Sequence, residues 1–284
     1  MDFEITLLSN GFGAEVTGLD LSQTLSYDDF EIVRRVWFEA GVVVFRDQNL
    51  TPEHQVAFSR RFGPLIIHVL DQFQQPGQPE ILLISNKKRE DGTGVGFEEA
   101  GRYWHSDLSY VEKPAFGSLL YAVEIPPEGG DTMFADMRRA LKTLPDETLL
   151  RITGRRGRHS YTRNFEDNEY LNSGRPAITS NQLSRIPGST HPMVRTLTDS
   201  NDQALYVNPG FTYAIEDMDE SESKALLSEL FAHCTRPELI YTHKWKPRDL
   251  LCWDNRSVMH HATRFDPTHT RHMRRTTIEG DLPV

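Results

Sequence analysis

The sequence predicts a mainly β fold with flanking helices, and three observations carry that prediction. Short apolar runs recur from Ile81 onward, separated by turn signals such as Pro126-Pro127-Glu128-Gly129-Gly130, the pattern of a sandwich or barrel. Helical periodicity interrupts these runs at residues 136–144 and 219–234. The chain has 284 residues and shows no repeat, low-complexity tract or linker, so residues 1–284 are expected to form a single domain with a substantial core.

The elements follow in order. Residues 26–39 predict a helix: Ser26 can cap it with Asp29 at the third helical position, and Phe30, Val33 and Trp37 share a face. Gly41 ends it, and Val42-Val43-Val44-Phe45 reads as a buried strand. Thr51-Pro52 opens a second helix, carrying Val56, Phe58 and Phe62 and stopping at Gly63-Pro64. Strands are expected at 81–85, 118–123, 203–207, 239–243, 250–253 and 273–278. The 219–234 helix is amphipathic, with Leu226, Leu227, Leu230 and Phe231 on one side. Residues 155–188 are polar and aperiodic, which suggests either a lid or binding loop over a site or a surface insertion with no role.

Composition excludes several classes. The net charge of −10 argues against nucleic-acid binding, although a few local arginines can still hold an anion in a desolvated pocket. Cys234 and Cys252 both lie in apolar stretches and predict buried free thiols, with no disulfide framework. The acidic start Met1-Asp2-Phe3-Glu4 is not expected to act as a signal peptide, and no run approaches membrane-spanning length. A cytoplasmic protein with no membrane partner is expected, and a homo-oligomer.

Chemistry concentrates in two motifs far apart. One is Trp104-His105-Ser106-Asp107; the other runs from Trp253-Asp254-Asn255-Arg256 to His260, with Arg271 eleven residues later. Two imidazoles and a carboxylate are the ligand set of a facial triad, which leaves positions open on a redox-active metal. In a strand, residues i and i+2 share a face, so His105 and Asp107 would aim at one point. Each fragment alone recurs by chance. The ordered series of His-x-Asp, Thr132 in Gly129-Gly130-Asp131-Thr132, His260, Arg271 and Arg275 is far more specific. Arg271 could hold a carboxylate with a two-pronged hydrogen bond, and Thr132 could add a hydroxyl donor. Arg275, four residues on, would share the inward face of a strand with Arg271, where two guanidinium groups are costly unless they meet anions. An iron(II)- and 2-oxoglutarate-dependent oxygenase is the chemistry these groups suggest.

At these residues the chain resembles the taurine / 2,4-dichlorophenoxyacetate dioxygenase family. The blocks named above match that family's signatures in order and spacing, as do Val44-Phe45-Arg46, residues 58–65 and residues 205–211. The match spans nearly the whole chain and is weakest around 155–190. The resemblance implies a double-stranded β-helix, or jelly roll. It implies His105, Asp107 and His260 as iron ligands, with 2-oxoglutarate chelating the iron and its far carboxylate on Arg271 and Thr132. It also implies Arg275, His68 and Phe211 as contacts of an anionic prime substrate.

By this resemblance, 2-oxoglutarate and O2 yield succinate, CO2 and a hydroxylated aryloxy acid, sulfonate, sulfate ester or similar anion. Where the carbon bears a heteroatom, C–O or C–S cleavage follows. Gly101 departs from taurine-type members, which place a polar amide there. Gly63-Pro64-Leu65 and Asp136-Met137-Arg138 look closer to the phenoxyacetate branch.

Other readings of single residues stand beside these: core packing for Phe211, a hydrogen-bonded structural histidine for His68, and an internal acid as partner for Arg275. His261 is expected to point away from the site, Trp104 and Trp253 to pack beside it, and Asp254 and Asn255 to form a turn or support His260. Two rivals to the whole assignment are a zinc hydrolase on the same His2Asp set and a non-catalytic 2-oxoglutarate-binding jelly roll.

Overall fold

The alternation in Val42-Val43-Val44-Phe45 sets the layering of the molecule. In a strand, successive side chains take opposite faces, and here both faces are covered. The computed structural model describes residues 3–8, 11–163, 176 and 178–284. Its strands are β1 (Glu4–Leu7), β2 (Ala14–Thr17), β3 (Val42–Phe45), β4 (Gln74–Gln75), β5 (Gln78–Ser85), β6 (Gly117–Glu124), β7 (Thr132–Asp136) and β8 (Arg156–His159). They continue with β9 (Ser189–Pro192), β10 (Val194–Thr196), β11 (Gln203–Leu205), β12 (Thr212–Ile215), β13 (Ile240–His243), β14 (Leu250–Asp254), β15 (Val258–Ala262) and β16 (His272–Ile278). The helices are α1 (Tyr27–Ala40), α2 (Pro52–Arg60), α3 (Met137–Lys142), α4 (Asp146–Ile152), α5 (Ser180–Ser184) and α6 (Glu220–Cys234).

An eight-stranded sheet runs β1-β2-β3-β14-β6-β16-β5-β4, and a three-stranded sheet runs β13-β7-β15. The pairing is antiparallel throughout both except at β2–β3. Val42, Val44, Leu120, Leu251, Trp253 and Met273 of the large sheet pack against Phe134, Tyr241 and Val258 of the small one. Val43, Phe45, Leu119, Leu250 and Cys252 take the opposite face and bury Phe30, Val33 and Trp37 of α1 and Phe58 of α2. Behind the small sheet, Ala135 and Met259 pack on α3 and on Leu226 and Leu230 of α6. The order is therefore helices, large sheet, small sheet, helices: a mainly β molecule with flanking helices, as the sequence predicts.

The helix signals work as expected. Ser26 caps α1, accepting from the Asp29 amide, and Gly41 closes it at φ 74°, the left-handed conformation glycine tolerates best. Thr51 and His54 form a reciprocal cap on α2 with Pro52 at its start, and the helix ends at Arg60, before Gly63. Cys234 and Cys252 are buried and free.

Residues 155–188 depart from the aperiodic expectation. β8 and α5 lie within them, and β8 pairs with β9 and β12. Residues 164–175 and 177 of the predicted lid lie outside the described residues. No helix among the described residues is long and apolar enough to cross a membrane.

Candidate metal and co-substrate site

His105 and His260 meet through backbone pairing. Each donates its amide to the other's carbonyl, at 3.0 and 2.8 Å, in an isolated antiparallel bridge. Directly opposed residues hold their side chains close on one face, and the two imidazole centroids lie 4.0 Å apart. Asp107 reaches the same point by another route than the regular strand the sequence suggested. The chain turns after His105, with Leu108 at φ 56°, and the Asp107 amide donates to Asn255 Oδ1 at 3.2 Å.

The donor atoms of His105, Asp107 and His260 all lie within 4.8 Å of one another, and all three residues are buried. His105 Nε2 is 3.7 Å from Asp107 Oδ1 and His260 Nε2 is 3.8 Å from Asp107 Oδ2, a spacing one ion can bridge. His105 Nδ1 lies 2.8 Å from the Tyr103 carbonyl oxygen. That oxygen only accepts, so Nδ1 carries the hydrogen and Nε2 is left unprotonated, as a metal ligand requires. Burial, then the neighbouring His105, push the His260 imidazolium well below the usual histidine range, so this ring is neutral. Burial alone would raise the Asp107 pKa. Arg275, His260, His105 and the Ser118 hydroxyl outweigh it and hold the carboxyl well below the usual range. An ionised carboxylate and a neutral imidazole need lose no proton to bind a metal.

Asp107 is gripped on both oxygens. Ser118 Oγ donates to Oδ2 at 2.7 Å, and Arg275 Nη1 donates to Oδ1 at 2.8 Å. Ser118 accepts in turn from Asn255 Nδ2 at 3.1 Å, and Trp253 Nε1 donates to Asn255 Oδ1 at 2.9 Å. Asn255 thus supports Asp107 rather than His260, and of the two readings offered for Asp254 and Asn255 the turn holds, closed by the Ser257 amide on the Asp254 carbonyl at 3.0 Å. Trp253 packs on the His260 ring, centroids 4.8 Å apart, and His261 turns away to lie 5.5 Å from Trp104, both as predicted.

Next to the triad lies a cavity of 30 Å³ lined by His105, Thr132, His260, Arg271 and Arg275, among others. Arg271 is 6% exposed. Its Nε donates to the Gly130 carbonyl at 3.2 Å, and neither Nη group has a partner among the described residues. Gly130 sits at φ 67°, and a Cβ there would come within 3.2 Å of Arg271 Cδ and Nε. The Gly-Gly motif therefore lets the arginine lie against the backbone. Burial, then repulsion from Arg102, pull the Arg271 guanidinium down to about 10. A buried cation with idle donors is costly until an anion meets it.

A second cavity of 40 Å³ shares His105 and Arg275 and is lined by His68, Tyr103, Asp107, Tyr110, Tyr161 and Phe211, among others. Phe211 stands edge-on to His105, centroids 5.9 Å apart. Gly101, at φ 71°, faces the same ring, and a Cβ there would come 2.9 Å from His105 Cε1. His68 is half-buried; loss of water, then Arg275, push its imidazolium down to about 3. Its Nδ1 accepts from the Leu70 amide at 3.1 Å, which leaves the ring hydrogen on Nε2. Through His68 and Leu108 this cavity adjoins an open groove of 510 Å³. The structure thus gathers all eight sequence-predicted site residues around one pair of cavities. The sequence did not reveal Ser118, the Tyr103–Tyr110–Tyr161 wall, or Trp245, whose indole donates to Thr132. Arg275 has the internal acid partner that the alternative reading allowed, and it also lines both cavities.

The family described as "Taurine catabolism dioxygenase TauD, TfdA family" matches residues 4–277. The α-ketoglutarate-dependent 2,4-dichlorophenoxyacetate dioxygenase of Cupriavidus pinatubonensis is 34% identical over 282 residues, covering 96% of both chains. Pentalenolactone F synthase of Streptomyces avermitilis is 32% identical, covering 97% of this chain and 93% of the relative. Among solved structures, a taurine dioxygenase from Burkholderia xenovorans superposes with a TM-score of 0.83 at 32% identity, covering 99% of this chain and 91% of the other. On the match over residues 4–277 and these full-length similarities, the chain belongs to the TauD, TfdA family.

Proposed function

We propose that this iron(II)- and 2-oxoglutarate-dependent dioxygenase hydroxylates a small organic anion within a double-stranded β-helix whose two sheets face each other around the site. His105, Asp107 and His260 hold the iron. Arg271 and Thr132 hold the far carboxylate of 2-oxoglutarate. Arg275, His68 and Phe211 contact the prime substrate. The observation that carries this reading is Arg271: a buried guanidinium with two idle Nη groups beside a His2Asp cluster.

When bound, iron(II), 2-oxoglutarate and O2 supply an oxidant that places one oxygen atom in succinate and the other in a substrate C–H bond, with release of CO2. The chain's own contribution is position and dryness. Asp107 arrives ionised and fixed by Ser118, Arg275 and Asn255. His105 is fixed in its tautomer by the Tyr103 carbonyl. Arg271 and Thr132 orient the co-substrate from its unreactive end. The aromatic wall of Tyr103, Tyr110, Tyr161 and Phe211 excludes water, and neutral His68 offers its Nε2 hydrogen to an anion without adding charge.

The relatives are named for aryloxy acids and sulfonates among other substrates, so those classes lead the screen. Sulfonates, sulfate esters and aryloxy acids are tested for substrate-dependent succinate formation with iron(II), 2-oxoglutarate and O2. Turnover of an anion with zinc in the absence of O2, and none with iron, would overturn the assignment.

A further inference from the structure

We infer that Trp245 is a positioning residue for the co-substrate: it fixes the Thr132 hydroxyl as a hydrogen-bond donor toward the far carboxylate of 2-oxoglutarate. This rests on the assignment of Thr132 and Arg271 made above, and goes beyond it to a residue outside the cavity lining.

The argument starts from hydrogen-bond chemistry. An indole N–H can only donate, whereas a threonine hydroxyl donates once and accepts twice. Trp245 Nε1 donates to Thr132 Oγ1 at 3.0 Å. The threonine oxygen is therefore an acceptor on that side, and its own hydrogen is free for another acceptor. Thr132 is 3% exposed and lines the cavity that holds the idle Nη groups of Arg271. The hydroxyl hydrogen and the guanidinium form a donor set that suits a carboxylate, and a hydroxyl that accepts one bond donates a stronger one.

The indole is itself held from behind. Thr132 and His243 are directly paired across β7 and β13, and Trp245 follows two residues later, packed at 88° on the His243 ring with centroids 4.6 Å apart. His243 is clamped between the Tyr241 hydroxyl at 3.1 Å and Asp249 Oδ2 at 3.2 Å. Asp249 Oδ2 is anchored by Arg46 Nη1 at 2.6 Å and the Lys246 amide at 2.8 Å. His243 and Asp249 are fully buried. Every link from Arg46 to Thr132 is thus packed or hydrogen-bonded, and such a shell holds a donor at one angle.

The test is Trp245→Phe, which keeps an aromatic ring against His243 and removes the N–H together with part of the indole's volume; the pyruvate control below reads any loss that comes from packing alone. Calorimetric titration of the manganese(II)-loaded protein compares 2-oxoglutarate with pyruvate, which has the same chelating end and no far carboxylate. The expected result is about three- to ten-fold weaker binding of 2-oxoglutarate, unchanged pyruvate binding, and no further loss when Trp245→Phe is added to Thr132→Val. Equal weakening of both ligands, or no weakening, overturns the inference. Arg271→Gln separates the two levels. If it leaves 2-oxoglutarate affinity intact, the co-substrate assignment itself is wrong. If it abolishes binding while Trp245→Phe does not weaken it, only the role of Trp245 is wrong. Should the Phe variant not fold, the zinc(II)-loaded wild type decides by NMR. The indole N–H signal that Thr132→Val displaces must shift on adding 2-oxoglutarate and not on adding pyruvate; a signal indifferent to both overturns the inference.

Discussion

Ser118 donates its hydroxyl hydrogen to Asp107 Oδ2 at 2.7 Å from the middle of the large sheet, so a strand outside the His-x-Asp motif sets the angle of the Asp107 carboxylate. Groups that orient ligands in this way typically contribute about 10- to 100-fold to metal affinity. Ser118→Ala is therefore expected to weaken iron(II) binding by about ten-fold, read by anaerobic calorimetry. The variant also strands Asn255 Nδ2 in a buried setting, which costs about 1–3 kcal/mol of stability and lowers the melting temperature. Wild-type metal affinity in a folded Ser118→Ala protein would show that Asp107 needs no such support.

Arg271 presents two unused Nη groups beside the triad, and its loss should appear in co-substrate binding alone. A charge-assisted bond of this kind contributes about 1.5–3 kcal/mol, or roughly ten- to hundred-fold in affinity. Arg271→Gln is expected to raise the 2-oxoglutarate dissociation constant by that factor while leaving iron binding unchanged. Arg271→Lys keeps the charge but loses the planar fork and should fall between the two. An unchanged dissociation constant in the Gln variant would move the co-substrate carboxylate elsewhere.

The parts of this site that were legible in sequence are those fixed locally. Ser26 and Gly41 bracket α1 because capping and left-handed glycine are decided within a few residues. The inward face shared by Met273 and Arg275 follows from strand period, and Arg271 joins it from one residue before β16. Asp107 is different: its approach to His105 depends on the long-range bridge to His260 and on the turn at Leu108. Nothing in a His-x-Asp string announces either.

Ser118 reads as one small residue in an apolar strand, and Trp245 as one aromatic in a loop. Their roles arise only when β6 packs beside β14 and the loop after β13 folds onto β7. The edge strand β1 escaped notice for the opposite reason. Residues Glu4–Leu7 are all exposed, so no buried face imposes a period on them.

Acid should destabilise the fold well before the Asp107 carboxylate titrates. His191 is 2% exposed and His159 1%; burial first, and then neighbouring positive charge, push His191 down to about 4 and His159 well below the usual range. Their folded values lie below the unfolded value of about 6.5, so the unfolded chain binds more protons in the interval. Stability is therefore full above pH ~6.5 and is lost as pH falls toward ~4, by up to about 1.4 kcal/mol per pH unit for each such imidazole. Asp107 is also shifted below its ordinary value, and its contribution is lost only as pH falls below the ordinary carboxylate value of about 3.9. Urea midpoints measured from pH 7 to pH 4.5 should fall steadily, and His191→Gln should flatten the slope. A flat profile in the wild type would mean that these rings are protonated in the fold.

Arg275 stands between two tasks, and one comparison separates them. Its Nη1 is committed to Asp107, while its buried Nε has no partner among the described residues. The guanidinium also lines the cavity bounded by His68 and Phe211. If the remaining donors meet the anionic end of the prime substrate, Arg275→Gln should lower kcat/KM for the best anionic substrate about ten-fold or more, and its neutral amide analogue should be affected far less. Both substrates depend on the same iron and the same Asp107. Any harm the variant does to the metal site therefore enters both rates equally and cancels in their ratio. A loss of equal size for the acid and the amide would confine Arg275 to its ion pair with Asp107. The substrate anion would then have to be recognised by His68 or by groups along the outer groove.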